Sequence, residues 1–272
     1  MDIHTYLENF ANEQEQPLDR LVEDGGYCSI LRTIGCVGDS LSSGEFEAYS
    51  DDGRKLYLDF FEDYSWGQFL GRTAGCKVFN FSRGGMTAKE YAEGFADSKL
   101  FWNADKACRA YIIALGVNDV LNNREKEIGS VADICKEDWR QNKPTFAGYY
   151  AQIVQRLKEI QPDAKFFFVT IPRNTTEPTE REQLKVAHAK LLQEMAGYFS
   201  NSYVIDLNRY APVFDEAFDR RFSMGGHMNA CGYLLFSKIV ASYVDYIIRH
   251  NPDDFREIAF VGTPYRFKRT ET

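Results

Sequence analysis

The chain has 272 residues, 44% of them apolar and 26% charged, which is enough to bury the core of one large α/β domain. Its formal net charge of −8 repels a phosphate backbone and excludes nucleic acid as an expected partner. Met1-Asp2-Ile3-His4 does not begin a basic-then-apolar leader, and no apolar run approaches the ~18 residues that span a bilayer, so a cytoplasmic chain with no membrane partner is expected.

Residues 1–30 are charged and weakly periodic. They read as an N-terminal extension, one helix plus a short strand, packed on a body formed by residues 31–272. From Thr33 five short apolar runs recur: Thr33 to Val37, Cys76 to Phe81, Ala110 to Leu115, Lys165 to Ile171 and Tyr203 to Asp206. Runs of this kind are strands buried on both faces of a parallel sheet. Between them lie helical patterns: Trp66 to Thr73, Thr87 to Phe95 with Thr87 and Glu90 spaced as a capping box, Phe146 to Ile160, Glu180 to Phe199 and Cys231 to Ile248. Strand–helix alternation predicts a doubly wound α/β layer with its ligand site beyond the carboxyl ends of the strands. The segment Glu45 to Tyr64 reads as a long Tyr- and acid-rich loop over that site. The tail 251–272 carries Phe255, Ile258, Phe260 and Val261, enough apolar residues to pack back on a body, and ends near a solvated Arg266-Phe267-Lys268-Arg269. The six cysteines form no CxxC pair, which argues against zinc and for reduced, buried and inert thiols.

Three clusters of small residues fall where strands end: Gly38-Asp39-Ser40-Leu41, Ser82-Arg83-Gly84-Gly85 and Gly116-Val117-Asn118-Asp119. Serine catalysis needs a nucleophile, a base within reach, and donors for the oxyanion. Ser40 sits at a strand-to-turn junction that exposes its hydroxyl, with Asp39 placed to brace the turn; Asp39-Ser40 also reads as a helix N-cap. Asn118 offers a neutral amide donor, Gly85 a backbone N–H that a ligand can approach, and both also fit plain turns. Of the four histidines only His227 lies in a Gly-rich loop, Gly225-Gly226-His227-Met228-Asn229-Ala230; His188 is mid-helix, His250 ends a helix and His4 is in the extension.

In order and spacing, Gly38-Asp39-Ser40-Leu41, Gly85, Gly116-x-Asn118-Asp119 and His227-x-Asn229-Ala230-x-Gly232-Tyr233 resemble the blocks of the GDSL/SGNH hydrolase family, over about residues 33 to 250. The resemblance implies a flavodoxin-like three-layer α/β/α sandwich with a five-stranded parallel sheet, and ester hydrolysis through an acyl-enzyme. It implies Ser40 as nucleophile, His227 as base, and an oxyanion hole made by the Ser40 and Gly85 N–H groups and the Asn118 side chain. No cofactor or metal is called for. The family usually has Asp three residues before the histidine, and here that residue is Met224. Two replacements are open: a Ser40–His227 dyad whose Nδ1–H meets a backbone carbonyl such as that of Met224, or a relocated acid, Asp215 or Asp219. The expected substrate is a small ester or acylated carbohydrate. The aromatic Glu45–Tyr64 segment, with Trp66 and Trp102, favours a carbohydrate O-acetylesterase, with Trp66 and Asp39 as candidate substrate contacts. A lysophospholipase or thioesterase-type acylhydrolase and a non-catalytic binding module are the alternatives. Sequence leaves the oligomeric state open.

Overall fold

The five apolar runs become one parallel sheet: the three central ones bury side chains on both faces, and the two edge runs are partly open. The structure, a computed structural model, describes residues 2–122, 124 and 127–267. The chain begins with helix α1 (Ile3–Phe10) and reaches strand β1 (Thr33–Gly38). A short helix α2 (Ser40–Ser43), strands β2 (Glu45–Tyr49) and β3 (Lys55–Asp59), and helices α3 (Phe61–Tyr64) and α4 (Trp66–Ala74) then lead to β4 (Lys77–Ser82). Helices α5 (Ala88–Glu90) and α6 (Ala96–Ser98) are joined by a π turn, and β5 (Ala110–Ala114), α7 (Phe146–Ile160), β6 (Lys165–Val169), α8 (Thr179–Tyr198) and β7 (Ser202–Ile205) follow. Helices α9 (Leu207–Tyr210) and α10 (Glu216–Phe222), the two-residue strands β8 (Ser223–Met224) and β9 (His227–Met228), and helix α11 (Ala230–His250) complete the order.

The sheet runs β4-β1-β5-β6-β7, all parallel. Renumbered within the sheet this is 2-1-3-4-5, the flavodoxin-like order, whose switch point lies between β1 and β5. Alternate strand residues feed two cores. Ile34, Cys36, Ile112 and Phe167 pack under α4 and α11, whereas Val37, Tyr111, Ile113, Phe166 and Phe168 pack under α7 and α8. The result is the expected α/β/α sandwich. The apolar stripe Tyr150, Ile153, Val154 and Leu157 of α7 is wholly buried, and Thr145 caps that helix by accepting from the Gly148 N–H at 3.2 Å. Thr87 and Glu90 form the capping box their spacing predicts.

Four expectations change. The segment from Glu45 is not a loop: β2 and β3 pair antiparallel as a hairpin, Glu47 opposite Tyr57, and α3 follows. Alternation is the cause, since Phe46 turns inward onto Tyr64 and Tyr233 while Glu45, Glu47, Lys55, Tyr57 and Asp59 share the other face. The extension has no strand among its described residues; its second element is a 3₁₀ helix, Gly26–Leu31, because the Tyr27 N–H finds the Asp245 carboxylate at 2.8 Å rather than a neighbouring strand. Helix α11 is long and apolar enough to cross a membrane by length and composition, yet 72% of that stretch is buried inside the fold, as befits a core helix. The thiols are not uniformly buried, as Cys231 is exposed; all six are free.

Both chain ends lie on this body. Phe255, Ile258 and Val261 enter the core beside α11. Arg266 pairs with Asp163 at 2.5 Å, while Lys268 and Arg269 fall outside the described residues. At the other end Arg249, 2% exposed, meets Asp245 at 2.8 Å, Glu15 at 2.7 Å and the Phe10 carbonyl at 2.6 Å. Removing one partner strands the rest as buried charge. Arg249→Ala is expected to cost about 3–5 kcal/mol in urea unfolding, with the denaturant slope unchanged.

Candidate active site

Register sets the site. Gly38 of β1 lies beside Ser82 of β4 and Ala114 of β5, so the three small-residue clusters leave the sheet side by side at the switch point. Asp39 turns the chain into α2, where its Oδ1 accepts the Leu41 N–H at 3.1 Å, and its Oδ2 lies 3.4 Å from Asn118 Nδ2. Asp39 is 2% exposed. Burial pushes its carboxyl up to about 6, against the opposing pull of the Leu41 N–H and the nearby His227. Its carboxylate braces the Ser40 loop to the Asn118 loop.

Asn118 is held on both ends, donating to the Met86 carbonyl at 3.2 Å and accepting from Asn122 Nδ2 at 3.0 Å. Gly85 has φ +68°, a left-handed conformation that suits glycine, and its carbonyl accepts from Arg124 at 2.7 Å. The Ser40 and Gly85 N–H groups donate to no group among the described residues. Together with the Asn118 amide they form a set of donors clustered at the switch point.

His227 comes from the far side of the chain. β8 and β9 make a tight hairpin around Gly225-Gly226, with Met224 opposite His227, and Asn229 caps α11 two residues on. Gly225 has φ +68°, and a Cβ there would stand 2.0 Å from Glu47 Oε2. The turn therefore closes directly onto the carboxylate of Glu47. His227 Nδ1 lies 3.0 Å from Glu47 Oε1, which also accepts the Gly226 N–H at 2.8 Å, and Lys55 Nζ meets Oε2 at 2.7 Å. Burial disfavours the Glu47 charge, but Lys55, Gly226 and His227 outweigh it and hold the carboxyl down at about 2. It is thus a permanent anion at neutral pH.

This replaces both sequence-based alternatives for the acid. The Nδ1 partner is neither a Met224 carbonyl nor Asp215 or Asp219. Met224 points outward at 46% exposure. Asp215 caps α10 by accepting the Phe218 N–H at 2.8 Å, and Asp219 accepts from Ser223 at 3.3 Å. Glu47 and its neighbours escaped notice because the segment read as a loop; the period-two pattern Glu45-x-Glu47-x-Tyr49 and Lys55-x-Tyr57-x-Asp59 was the available signal. A second carboxylate, Glu45, lies 3.1 Å from His227 Nε2. Burial raises the Glu45 carboxyl, with Asp59 and Glu47 adding to the effect against His227. The Tyr57 ring stands edge-on to the imidazole, centroids 5.9 Å apart.

The other candidates separate. His188 is wholly buried on the Leu115 carbonyl, where desolvation lowers it to about 4, and His250 bonds the Tyr246 and Asn12 carbonyls. Trp66 is 1% exposed against Phe236, so it is no surface platform. Trp102 packs under the Arg156 guanidinium of α7, in the helical layer.

The model of the GDSL-like lipase/acylhydrolase family matches residues 36–235, a span that holds Ser40, Glu45, Glu47, Gly85, Asn118 and His227. The chain belongs to that family. No curated protein matches it. Similar solved structures include a possible lipase from Chitinophaga pinensis DSM 2588 (14% identity, TM-score 0.53, covering 84% of this chain and 98% of that one). Another is a family two carbohydrate esterase from Clostridium thermocellum in complex with cellohexaose (13%, 0.54, 82% and 65%). A third is a carbohydrate esterase family 2 enzyme with a carbohydrate binding domain from Corynascus thermopiles (Myceliophthora fergusii) (15%, 0.54, 78% and 65%). At these identities the likeness is one of fold.

Two outcomes follow. Glu47→Gln is expected to lower ester turnover about 10²-fold or more with the fold intact, while Asp215→Asn and Asp219→Asn stay near wild type in the same assay. Asp39 has a folded pKa near 6 against an ordinary 3.8, so the stability it contributes in its protonated form is lost as pH rises through that window. Asp39→Asn should therefore gain on wild type by on the order of 2–3 kcal/mol between pH 3.5 and pH 7.5, read by denaturant melts at each pH.

Proposed function

We propose that this chain is a serine ester hydrolase that works through an acyl-enzyme on short acyl esters of carbohydrate. In this reading Ser40 is the nucleophile, His227 the base and Glu47 the acid that orients the ring. The Ser40 N–H, Gly85 N–H and Asn118 amide hold the oxyanion. The sequence of steps follows from the donors and acceptors in place. His227, with its one proton fixed on Nδ1 by Glu47, takes the Ser40 proton on Nε2 as Oγ attacks the carbonyl. Charge developing on the carbonyl oxygen falls to the Ser40 and Gly85 N–H groups, and the Asn118 amide adds a third donor by turning an N–H from Asp39 or Met86. His227 then gives its proton to the leaving alcohol, and a water activated at the same nitrogen releases the acid.

The observation that carries the acyl preference is a cavity of about 60 Å³ at the foot of the nucleophile loop, walled by Asp39, Leu41 and Ser42 on one side and by Val117, Ile171 and Phe214 on another. Trp66 lines it too, so its contact with an acyl group would be made from the core side. The volume is far below the roughly 300 Å³ or more of pockets that enclose drug-sized ligands. Lined by the neighbours of Ser40 and Asn118 rather than by those residues themselves, a space of that size supports an acetyl-sized group over a fatty chain. The polar face of the β2–β3 hairpin beside His227 supports a hydroxylated leaving group.

On p-nitrophenyl esters from acetyl to decanoyl, kcat/KM is expected to be highest at acetyl or propionyl and to fall steeply beyond butyryl. A maximum at octanoyl or decanoyl would overturn the short-acyl reading. A fluorophosphonate probe should label Ser40 and leave Ser40→Ala unlabelled; a wild-type chain that stays unlabelled would be a binding module instead.

A further inference from the structure

The imidazole nitrogen that would serve Ser40 faces a carboxylate. Glu45 Oε1 lies 3.1 Å from His227 Nε2, and Glu47 Oε1 lies 3.0 Å from Nδ1. A neutral imidazole carries one N–H. With that hydrogen on Nδ1, bonded to Glu47, Nε2 turns a lone pair toward Glu45. This is the form in which His227 accepts the Ser40 proton, and in it Glu45 has no donor from the ring. The Glu45 side chain is only 12% exposed, so an unmet carboxylate oxygen there is costly.

The position of Glu45 says which donor it wants. Its Oε2 lies so close to the loop that presents Gly85 that a Cβ on Gly84 would stand 2.2 Å from it. The carboxylate thus spans the gap between the nitrogen that protonates the leaving oxygen and the oxyanion loop. The leaving alcohol of an ester held on Ser40 has to pass through that gap. On the same hairpin face Tyr57, 55% exposed, offers an apolar ring beside the imidazole. Asp59 and Glu47 act on Glu45 as like charges, Lys55 is committed to Glu47, and Arg124 holds the Gly85 carbonyl on the other side of the gap.

We propose that Glu45 is a specificity residue for the leaving group: it accepts a hydrogen bond from a free hydroxyl next to the ester oxygen, so that sugar esters with an adjacent hydroxyl are selected over esters that lack one. Substrate binding then exchanges the Glu45–His227 contact for a Glu45–hydroxyl bond and frees Nε2 for Ser40. Glu45 stays a carboxylate throughout, and the only proton that moves is the one His227 takes from Ser40 and returns to the leaving oxygen. This inference rests on the esterase reading above.

The test uses two mono-O-acetylated methyl glycosides that differ only in the neighbouring oxygen, one a free hydroxyl and the other its methyl ether, with p-nitrophenyl acetate as an activity reference. Wild type is expected to favour the free hydroxyl by about tenfold or more in kcat/KM, with kcat as well as KM responding because the same bond frees Nε2. In Glu45→Ala that ratio should collapse to within about twofold, and in Glu45→Gln, which keeps the side-chain shape and a weaker acceptor, it should fall between the two. A wild-type ratio near one, or a ratio that survives in both variants, would overturn the proposal, as would a loss of equal size on all three esters. Glu45→Gln carries the test if Glu45→Ala melts earlier than wild type. Failure of the esterase reading looks different: no turnover of any ester by wild type and no fluorophosphonate label on Ser40.

Discussion

The Glu47 carboxylate accepts from three donors on two segments: the Lys55 ammonium across its own hairpin, and the Gly226 N–H and the imidazole in the turn that carries His227. Both pieces of chain have to be in place. The hairpin must be in register to set Lys55 on the diagonal from Glu47, the turn must be glycine-built to let the carboxylate approach, and the start of α11 must hold the turn. A carboxylate with three partners is also a fixed one, and rigidity in the acid becomes rigidity in the ring it orients. The geometry of the site thus rests on a contact between residues 180 positions apart in sequence.

The sheet contributes a different kind of precision. Where β1 and β5 part, their carboxyl ends deliver Ser40 and Asn118 to one edge, and β4 delivers Gly85 to the same edge from the other side. Asp39 then links the first two loops, from beneath, by accepting at one and touching the other. Its burial carries an electrostatic cost, which is the sort of local strain that sites tend to keep. The fold supplies placement and the loops supply chemistry, a division common to doubly wound sheets.

The sheet was legible in sequence because a strand buried on both faces is a continuous apolar run, and Lys165-Phe-Phe-Phe-Val169 leaves little other choice. Ser40, Gly85, Asn118 and His227 were legible because each sits where a run stops. The acid was not. A carboxylate three residues from a histidine is a local pattern; one that arrives from a hairpin early in the chain is a tertiary fact. Reading 45–64 as a loop hid it further, since an acidic and aromatic composition suggested solvent. The alternation of Phe46 against Glu45 and Glu47 was present throughout, but over five residues with a half-exposed inner face it is a faint signal. The missing strand in residues 1–30 failed for a related reason, as the partner of Tyr27 lies at Asp245, far along the chain.

Having its acid on an outlying arm gives the molecule two thresholds rather than one. A lone two-stranded hairpin is marginal in water, and this one carries Tyr49, Tyr57 and Leu58 largely in solvent. It is anchored chiefly by Phe46, by the Tyr233 hydroxyl on the Glu45 carbonyl at 2.7 Å, and by Glu47 itself. The exposed tip Asp51-Asp52-Gly53-Arg54 is open to a protease, while the buried sheet is not. Segments with few buried contacts open locally below global unfolding, so an opening of this arm parts His227 from the Glu47 carboxylate while the sandwich stays folded. Folding of the sheet and closure of the site are therefore separate thresholds in this fold.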